Sequence, residues 1–429
     1  MVYSGAVDRI IGRPPPKTGD VVLVADGTEK PIGWGLYNSV SMFCVRLMQQ
    51  EEEASCDPSC ALNVEKLLET RISAATMLRK KLGLPSANTN AYRLVNSEGD
   101  RLSGLVIDIF GDLAVIASSA AWVENYKPQI KSLVSKLDKI TSISWRPSVE
   151  ILKEEGLDFS GLSELQPSTC LERVKLPLCH HGAFVYKLQY LGALLMEDVA
   201  QKQRAFTVHE ATPMAWIPCD SFCSSESLER VQHCKDLMWN AVILVVRNPP
   251  QVMENGISYM ISLEGQKTGF FADQRENRQY ISTISEGQKV LDMCCYTGGF
   301  ALNAARGQAM NVTGVDTSLL ALELANKNIV LNNLDPGRIS FLKQDASAFM
   351  KDALSRNESW DIVIMDPPKL APRKKVLHSA TGMYRNLNSL AMRLTKRGGL
   401  LMTCSCSGAV TQSGTFLRIL QARCRIHGW

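Results

Sequence analysis

The chain has 429 residues, 45% of them hydrophobic and 21% charged, and its 47 basic and 43 acidic residues leave a net charge of +4. Such a composition excludes a disordered or membrane-spanning chain and suffices for two or three ordinary cores. The charge balance permits nucleic-acid binding through a local patch without requiring it.

Thirteen cysteines in an odd, irregular pattern point to reduced thiols rather than to a secreted disulfide framework. Met1 is followed at once by VYSGAVDRI, with no apolar targeting core and no Arg/Ser-rich leader. No address is readable: the cytoplasm is the default, and an organelle stays open should a leader precede this Met1.

Residues 1–50 carry the strand-like runs DVVLVAD, IGWGLYN and MFCVRLMQ, separated by GTEKP and Ser39, which predicts a small β domain over 1–60. Glu51, Glu52 and Glu53 open a polar link in which Cys56 and Cys60 read as bystanders. Leu62 to Leu82 then sets Val64, Leu67, Leu68, Ile72 and Ala75 at helical spacing. Residues 91–156 alternate the strands LSGLVIDIF, LAVIASS and ITSISWR with one helix around Tyr126 to Leu137. Together these predict an α+β middle domain over 61–160.

Residues 176–251 hold Cys179, His180, His181, Cys219, Cys223, His233 and Cys234. Structural zinc usually shows two tight pairs such as C-x2-C and H-x3-H, and only Cys219 with Cys223 comes near that spacing. The segment reads as an atypical, poorly packed insertion without a metal, which a core can tolerate because long surface loops cost little closure entropy.

From residue 252 to the end a third pattern begins. In VLDMCCYTGGFALNAA, Val290 to Ala305, an apolar run able to bury on both faces meets a Gly-Gly turn and a small-residue helix. Further strands end at Asp316, Asp345, Asp366-Pro367-Pro368, and Cys404 with Cys406, and helices are expected over Ala321 to Leu331 and Tyr384 to Thr395. Strands alternating with helices specify a doubly wound α/β sheet whose ligands sit at the carboxyl ends of the strands. Asp316, at such an end, could accept hydrogen bonds from two ribose hydroxyls. Phe300 follows the glycines where a dinucleotide fingerprint needs G-x-G-x-x-G, so NAD is the weaker cofactor.

Asp292, Tyr296-Thr297-Gly298-Gly299-Phe300, Asp316, Asp345, DPPK and SCS look like a class I S-adenosylmethionine methyltransferase. KTGFFADQRENR (Lys267 to Arg278) and RLVNSEGDRLSGLVIDIFGD (Arg93 to Asp112) resemble the bacterial 23S rRNA cytosine-C5 methyltransferase I family. The resemblance spans residues 1–175 and 252–418. It implies a PUA RNA-binding domain, a middle domain and a C-terminal Rossmann-like methyltransferase domain, in that order. It fails across the insertion. It also fails at the two ends: the family's first strand begins upstream of this Met1, and two further strands and a helix follow where QARCRIHGW ends the chain. The methyltransferase domain over 252–429 is therefore expected to be C-terminally incomplete, without its antiparallel edge.

The resemblance implies S-adenosylmethionine as cofactor, held by Asp292, Tyr296, Gly298, Asp316 and Asp345, with Gln274 at the methionine end. It implies Gly298 beside the methionine part and Asp345 on the adenine amino group. It makes Cys406 the nucleophile, and strand alternation independently sets Cys404 and Cys406 on one face with Ser405 opposite. Asp366 would bind the base. Lys369, Arg373, Lys374 and Lys375 would bind RNA phosphates at the mouth of the crevice, or form a merely solvated loop. The implied partner is RNA, ribosomal in kind; no membrane is expected, and a homodimer is left open. Two rivals stand beside the cytosine-C5 reaction: transfer to another acceptor such as a guanine nitrogen, and an RNA-binding protein that has lost turnover.

Overall fold

The computed structural model describes residues 1–158, 172–173, 251–262, 269–370, 377–407, 410–411 and 413–427. The insertion over 176–251 with its zinc question, and Arg373, Lys374 and Lys375, lie outside the described residues, Gln251 excepted.

Three antiparallel strands, β1 (Val21–Ala25), β2 (Pro31–Tyr37) and β3 (Val45–Gln50), open the chain. Short helix α1 (Glu51–Cys56) leads to α2 (Val64–Lys81), where Asn63 caps by accepting from the Lys66 N–H at 3.0 Å. The five buried residues of α2 are Val64, Leu67, Leu68, Ile72 and Ala75, the stripe read from spacing.

A five-stranded sheet follows in the order β4 (Ala91–Asn96), β5 (Leu105–Phe110), β6 (Leu113–Ser118), β7 (Ser142–Pro147), β8 (Glu172–Arg173). Sequence reading does not mark β4 as a strand, because its polar Arg93 hides it. Arg93 reaches Asp108 of β5 through Nε and Nη2 at 2.8 and 3.0 Å. Between β6 and β7 the single expected helix is two, α3 (Ala121–Asn125) and α4 (Lys127–Ser135), the second with Pro128 in its first turn. Helix α5 (Val149–Glu154) follows β7.

One core joins these two sheets: Trp34, Leu36 and Met48 pack with Leu67, Leu68 and Ile72 of α2 and with Leu94, Ile107 and Ile116. On the other face of the second sheet, Ala91, Phe110, Leu113 and Val115 belong to the core of the C-terminal region. There hairpin β9 (Gln251–Glu254) and β10 (Ile257–Met260) contributes Val252 and Tyr259. Phe270 meets Phe110 edge-on at 6.1 Å. Each large side chain so buried contributes about 1.5–3 kcal/mol.

After helix α6 (Arg275–Ile284) the chain alternates strictly: β11 (Lys289–Met293), α7 (Gly299–Arg306), β12 (Asn311–Asp316), α8 (Leu319–Leu331), β13 (Ile339–Lys343), α9 (Ala346–Ser355), β14 (Trp360–Met365), α10 (Leu377–Leu394), β15 (Thr395–Thr403). Helix α11 (Thr415–His427) ends the described chain. The strands pair in parallel in the order β13-β12-β11-β14-β15.

Alternation along each strand divides the apolar side chains between two layers. Val290, Val312, Ile362 and Ile364 face α7, whereas Leu291, Met293, Val315, Val363 and Met365 face Phe349 and Met350 of α9 and Leu390 and Leu394 of α10. Strand order reverses at β11, so its carboxyl end and those of its neighbours β12 and β14 border one crevice. Among the described residues no helix is long and apolar enough to cross a membrane.

Candidate active site

The crevice is built outward from Asp292. Its side chain is buried in β11; Oδ2 accepts the Ala301 N–H of α7 at 2.9 Å, and Oδ1 has no hydrogen-bond partner. The loop beyond it bends through positive φ at two non-glycine residues, Cys294 at 63° and Tyr296 at 51°. Such conformations cost about 1–3 kcal/mol each and persist only where the surroundings enforce them. Here β12 enforces them: Val315 O accepts from the N–H groups of Cys294 and Cys295 at 2.8 and 3.1 Å, and Asp316 Oδ2 accepts from Tyr296 N–H at 2.9 Å.

Gly298 has a φ of +82°, and a Cβ there would lie 2.7 Å from Cζ of Phe341 on β13. The glycine is thus required by close packing beneath the turn as well as by its backbone conformation.

Arg278 supports the same turn from α6. It is buried and pairs with Glu254 at 2.7 and 2.8 Å. It also donates to Phe271 O at 2.7 Å, and its guanidinium lies over the rings of Phe270 and Phe300. A buried guanidinium with a bidentate partner and aromatic faces is a rigid prop, and it fixes the Phe271–Gln274 segment against the head of α7. Sequence reading missed this pair. Its trace was the RENR run, which carries a charge into an otherwise ordinary helix start.

Asp316 accepts the Ser318 N–H at Oδ1, 2.8 Å, besides that of Tyr296 at Oδ2. Each carboxylate oxygen has a second lone pair, so both remain able to accept a hydroxyl. Asp345 is exposed and caps α9 through Ala348 N–H at 2.9 Å. Gln274 accepts from Asn277 Nδ2 at 2.5 Å, and its side chain hydrogen-bonds the Cys404 thiol.

The expectation that β15 runs through Cys404 and Cys406 is corrected. The strand ends at Thr403, with Cys404 N–H still donating to Met365 O at 2.9 Å. Its neighbour β14 ends there and passes into Asp366, Pro367 and Pro368; prolines have no N–H to carry a ladder further. Period-two alternation therefore does not place the two thiols. Cys404 is half-buried and Cys406 is exposed, with Sγ 3.5 Å from Pro367 O.

The charges of the crevice act on one another. Burial pushes the Asp292 carboxyl up to about 8; the Ala301 N–H opposes this, and the charges of Asp366 and Asp316 add to the rise. Burial pushes the Cys294 thiol up to about 12, with Asp316, Asp292, Asp366 and Asp345 all adding to it. Cys404 rises to about 12 through burial and the charge of Asp366, against the hydrogen bond from Gln274. Neither Cys294 nor Cys404 is a thiolate at neutral pH.

Four carboxyl groups converging on one crevice, one of them buried with an unpartnered oxygen, suit a ligand that brings positive charge. S-adenosylmethionine does so with its sulfonium and ammonium groups, and the residues present fit it. Lys369 is exposed just past the two prolines. Among the described residues no group of three or more His, Cys, Asp or Glu is set to hold a metal.

Comparison with known proteins agrees with this geometry. Residues 245–424 match the model of the S-adenosylmethionine-dependent methyltransferase family, and residues 1–50 match a PUA-like domain. The chain is 27% identical over 422 residues to the ribosomal RNA large subunit methyltransferase I of Erwinia tasmaniensis, covering 98% of this chain and 84% of that protein. The Escherichia coli protein of the same name is 28% identical over 425 residues, with the same coverage. Two solved structures share the fold at 18% identity. One is an S-adenosylmethionine-dependent methyltransferase from Streptococcus mutans, with a TM-score of 0.63 over 95% of this chain and 82% of that one. The other is a methyltransferase complexed with S-adenosylhomocysteine, with a TM-score of 0.65 over 98% and 84%.

Proposed function

We propose that this chain, which joins a PUA-like domain to an S-adenosylmethionine-dependent methyltransferase domain, methylates carbon 5 of a cytosine in large-subunit ribosomal RNA. Its methyl donor is S-adenosylmethionine, and the named relatives, of whose length it covers 84%, are ribosomal RNA large subunit methyltransferases.

The observation that carries the cytosine reading is the position of Cys406. It is an exposed thiol at the crevice, on a loop, with Sγ 3.5 Å from the carbonyl oxygen of Pro367, the residue after Asp366, whereas burial holds Cys404 and Cys294 in the thiol form. A guanine or adenine nitrogen is already nucleophilic and needs no thiol there. Cytosine C5 is not, and a thiolate adding to C6 makes it so.

Bound S-adenosylmethionine supplies an electrophilic methyl group. The chain's own residues do the rest. The Cys406 thiolate bonds to C6, and the electron pair of the C5–C6 double bond becomes available at C5. N3 takes up a proton from solvent as the thiolate adds, and Asp366 accepts hydrogen bonds from it and from the exocyclic amino group, which stabilises the adduct. As the C5 pair bonds to the methyl carbon the S–CH3 bond of the donor breaks and S-adenosylhomocysteine leaves; C5 then loses its proton and N3 its added proton to solvent, the electron pair reforms the C5–C6 double bond, and the thiolate leaves C6. Asp292, Tyr296, Gly298, Asp316, Asp345 and Gln274 line the donor's place and fix its orientation, the main contribution a protein makes to such a displacement. Lys369, with Arg373, Lys374 and Lys375, binds backbone phosphates, and the target base is flipped out of its stack to reach the thiol.

The test is to incubate the protein and its Cys406→Ala variant with methyl-labelled S-adenosylmethionine and unmodified ribosomal RNA, and to identify the labelled nucleoside. Label in 5-methylcytidine that vanishes with the variant is the expected result. Label in another nucleoside, or its persistence in the variant, overturns the proposal.

A further inference from the structure

Cys406 lies beyond the last ladder bond of β15, so the sheet does not aim it. What holds its loop is a set of polar contacts from α10. Tyr384 is buried there, its ring edge-on to Phe416 at 5.6 Å. Its hydroxyl accepts from Ser405 Oγ at 3.2 Å and donates to Ser407 Oγ at 3.2 Å. Ser407 N–H donates back to Ser405 Oγ at 3.3 Å, which closes a ring of hydroxyls around the backbone of residue 406. One turn further along α10, buried Asn388 donates to Tyr384 O at 2.8 Å and accepts from Thr403 Oγ1 at 2.7 Å.

We infer that Tyr384 is the positioning residue of the nucleophile loop: one buried phenol ties down the residues on both sides of Cys406 and thereby turns its thiol out towards the base. This rests on Cys406 being the nucleophile. The geometry favours it in two ways. Ser405 and Ser407 both bond the same phenol, which pins the chain on either side of Cys406, and Cys406 is the one of the three that is exposed. The phenol is in turn rigid, since its ring is packed and its backbone carbonyl is bonded to the side chain that also grips the end of β15.

The step that depends on this aim is the formation of the Sγ–C6 bond. Large-subunit ribosomal RNA transcribed with 5-fluorocytidine isolates it: after methyl transfer C5 carries fluorine in place of a proton, nothing can leave C5, and the protein–RNA adduct persists. The expected result is that Tyr384→Phe forms this adduct roughly ten- to hundredfold more slowly than the unaltered protein. Its dissociation constant for S-adenosylmethionine should stay within about twofold and its melting temperature close to the original, because the ring and its contact with Phe416 remain. The double variant Ser405→Ala, Ser407→Ala removes the partners instead of the phenol and should slow the adduct in the same way. An adduct formed at the original rate by both variants overturns the positioning role alone. A slowing matched by equal losses of cofactor affinity and melting temperature also overturns it, since that is mere loss of structure. Absence of any adduct with the unaltered protein overturns the nucleophile assignment itself, and the positioning role with it.

Discussion

Binding of S-adenosylmethionine should release a proton from Asp292, and the amount follows from the site. Burial, with the charges of Asp366 and Asp316, holds that carboxyl at about 8 against an ordinary 3.8. A sulfonium or ammonium beside the unpartnered Oδ1 favours the ionised form. A group of pKa about 8 is roughly nine-tenths protonated at pH 7, so about 0.9 proton should leave per donor bound there, and about half a proton at pH 8. The proton is held in the free protein and lost in the complex, so affinity rises with pH, by nearly tenfold per unit well below the free pKa, and levels off above it. Folding responds with the opposite sign. The folded carboxyl binds its proton more tightly than the unfolded one, so the free protein loses stability as pH climbs from about 4 to about 8. Calorimetric titration at pH 7 in two buffers of different ionisation enthalpy counts the protons directly. The ligand's own α-amino group titrates in this range in any protein, and comparison with Asp292→Asn subtracts it. A difference of about 0.9 proton between the two proteins is expected; identical proton counts would refute the reasoning.

Cys406→Ala should abolish the adduct with 5-fluorocytidine RNA while leaving S-adenosylmethionine binding intact, whereas Cys404→Ala should still form it; gel shift and cofactor titration read both. Gly298→Ala places a methyl group 2.7 Å from Phe341 at a φ of +82° and should destabilise by about 1–3 kcal/mol in denaturant unfolding; an unchanged midpoint would count against the packing argument. Glu254→Ala strands the buried Arg278 and should cost about 3–5 kcal/mol. Adding Arg278→Met should recover most of that stability but not the cofactor affinity, because the prop beneath the turn is gone.

The methyltransferase fold was legible because its signal is local and doubled. A strand buried on both faces shows as an apolar run, VLDM or IVIM, and each run ends in a polar residue that the parallel sheet delivers to one edge. The shared core of the first two sheets was not legible in the same way. Periodicity in α2 says that Leu67, Leu68 and Ile72 are buried, but not that Trp34 of the first sheet and Ile107 of the second share their core. Strand β4 was hidden by Arg93, whose charge is answered by Asp108, fifteen residues away.

The nucleophile loop marks the limit of the alternation argument. Alternation presumes a neighbour to pair with, and β15 has β14 on one side only as far as Met365; past that point the neighbour is Asp366, Pro367 and Pro368, which cannot extend the ladder. The DPP motif and the loop of Cys406 are therefore not independent features. Prolines that end the pairing at Cys404 release the following residues from the sheet, and only residues so released can be turned by α10. A strand continued through Cys406 would have its thiol direction dictated by pleat and twist. Ending it three residues earlier, at Thr403, transfers that control to Ser405, Ser407 and a single buried phenol, where side chains rather than the backbone ladder set the aim.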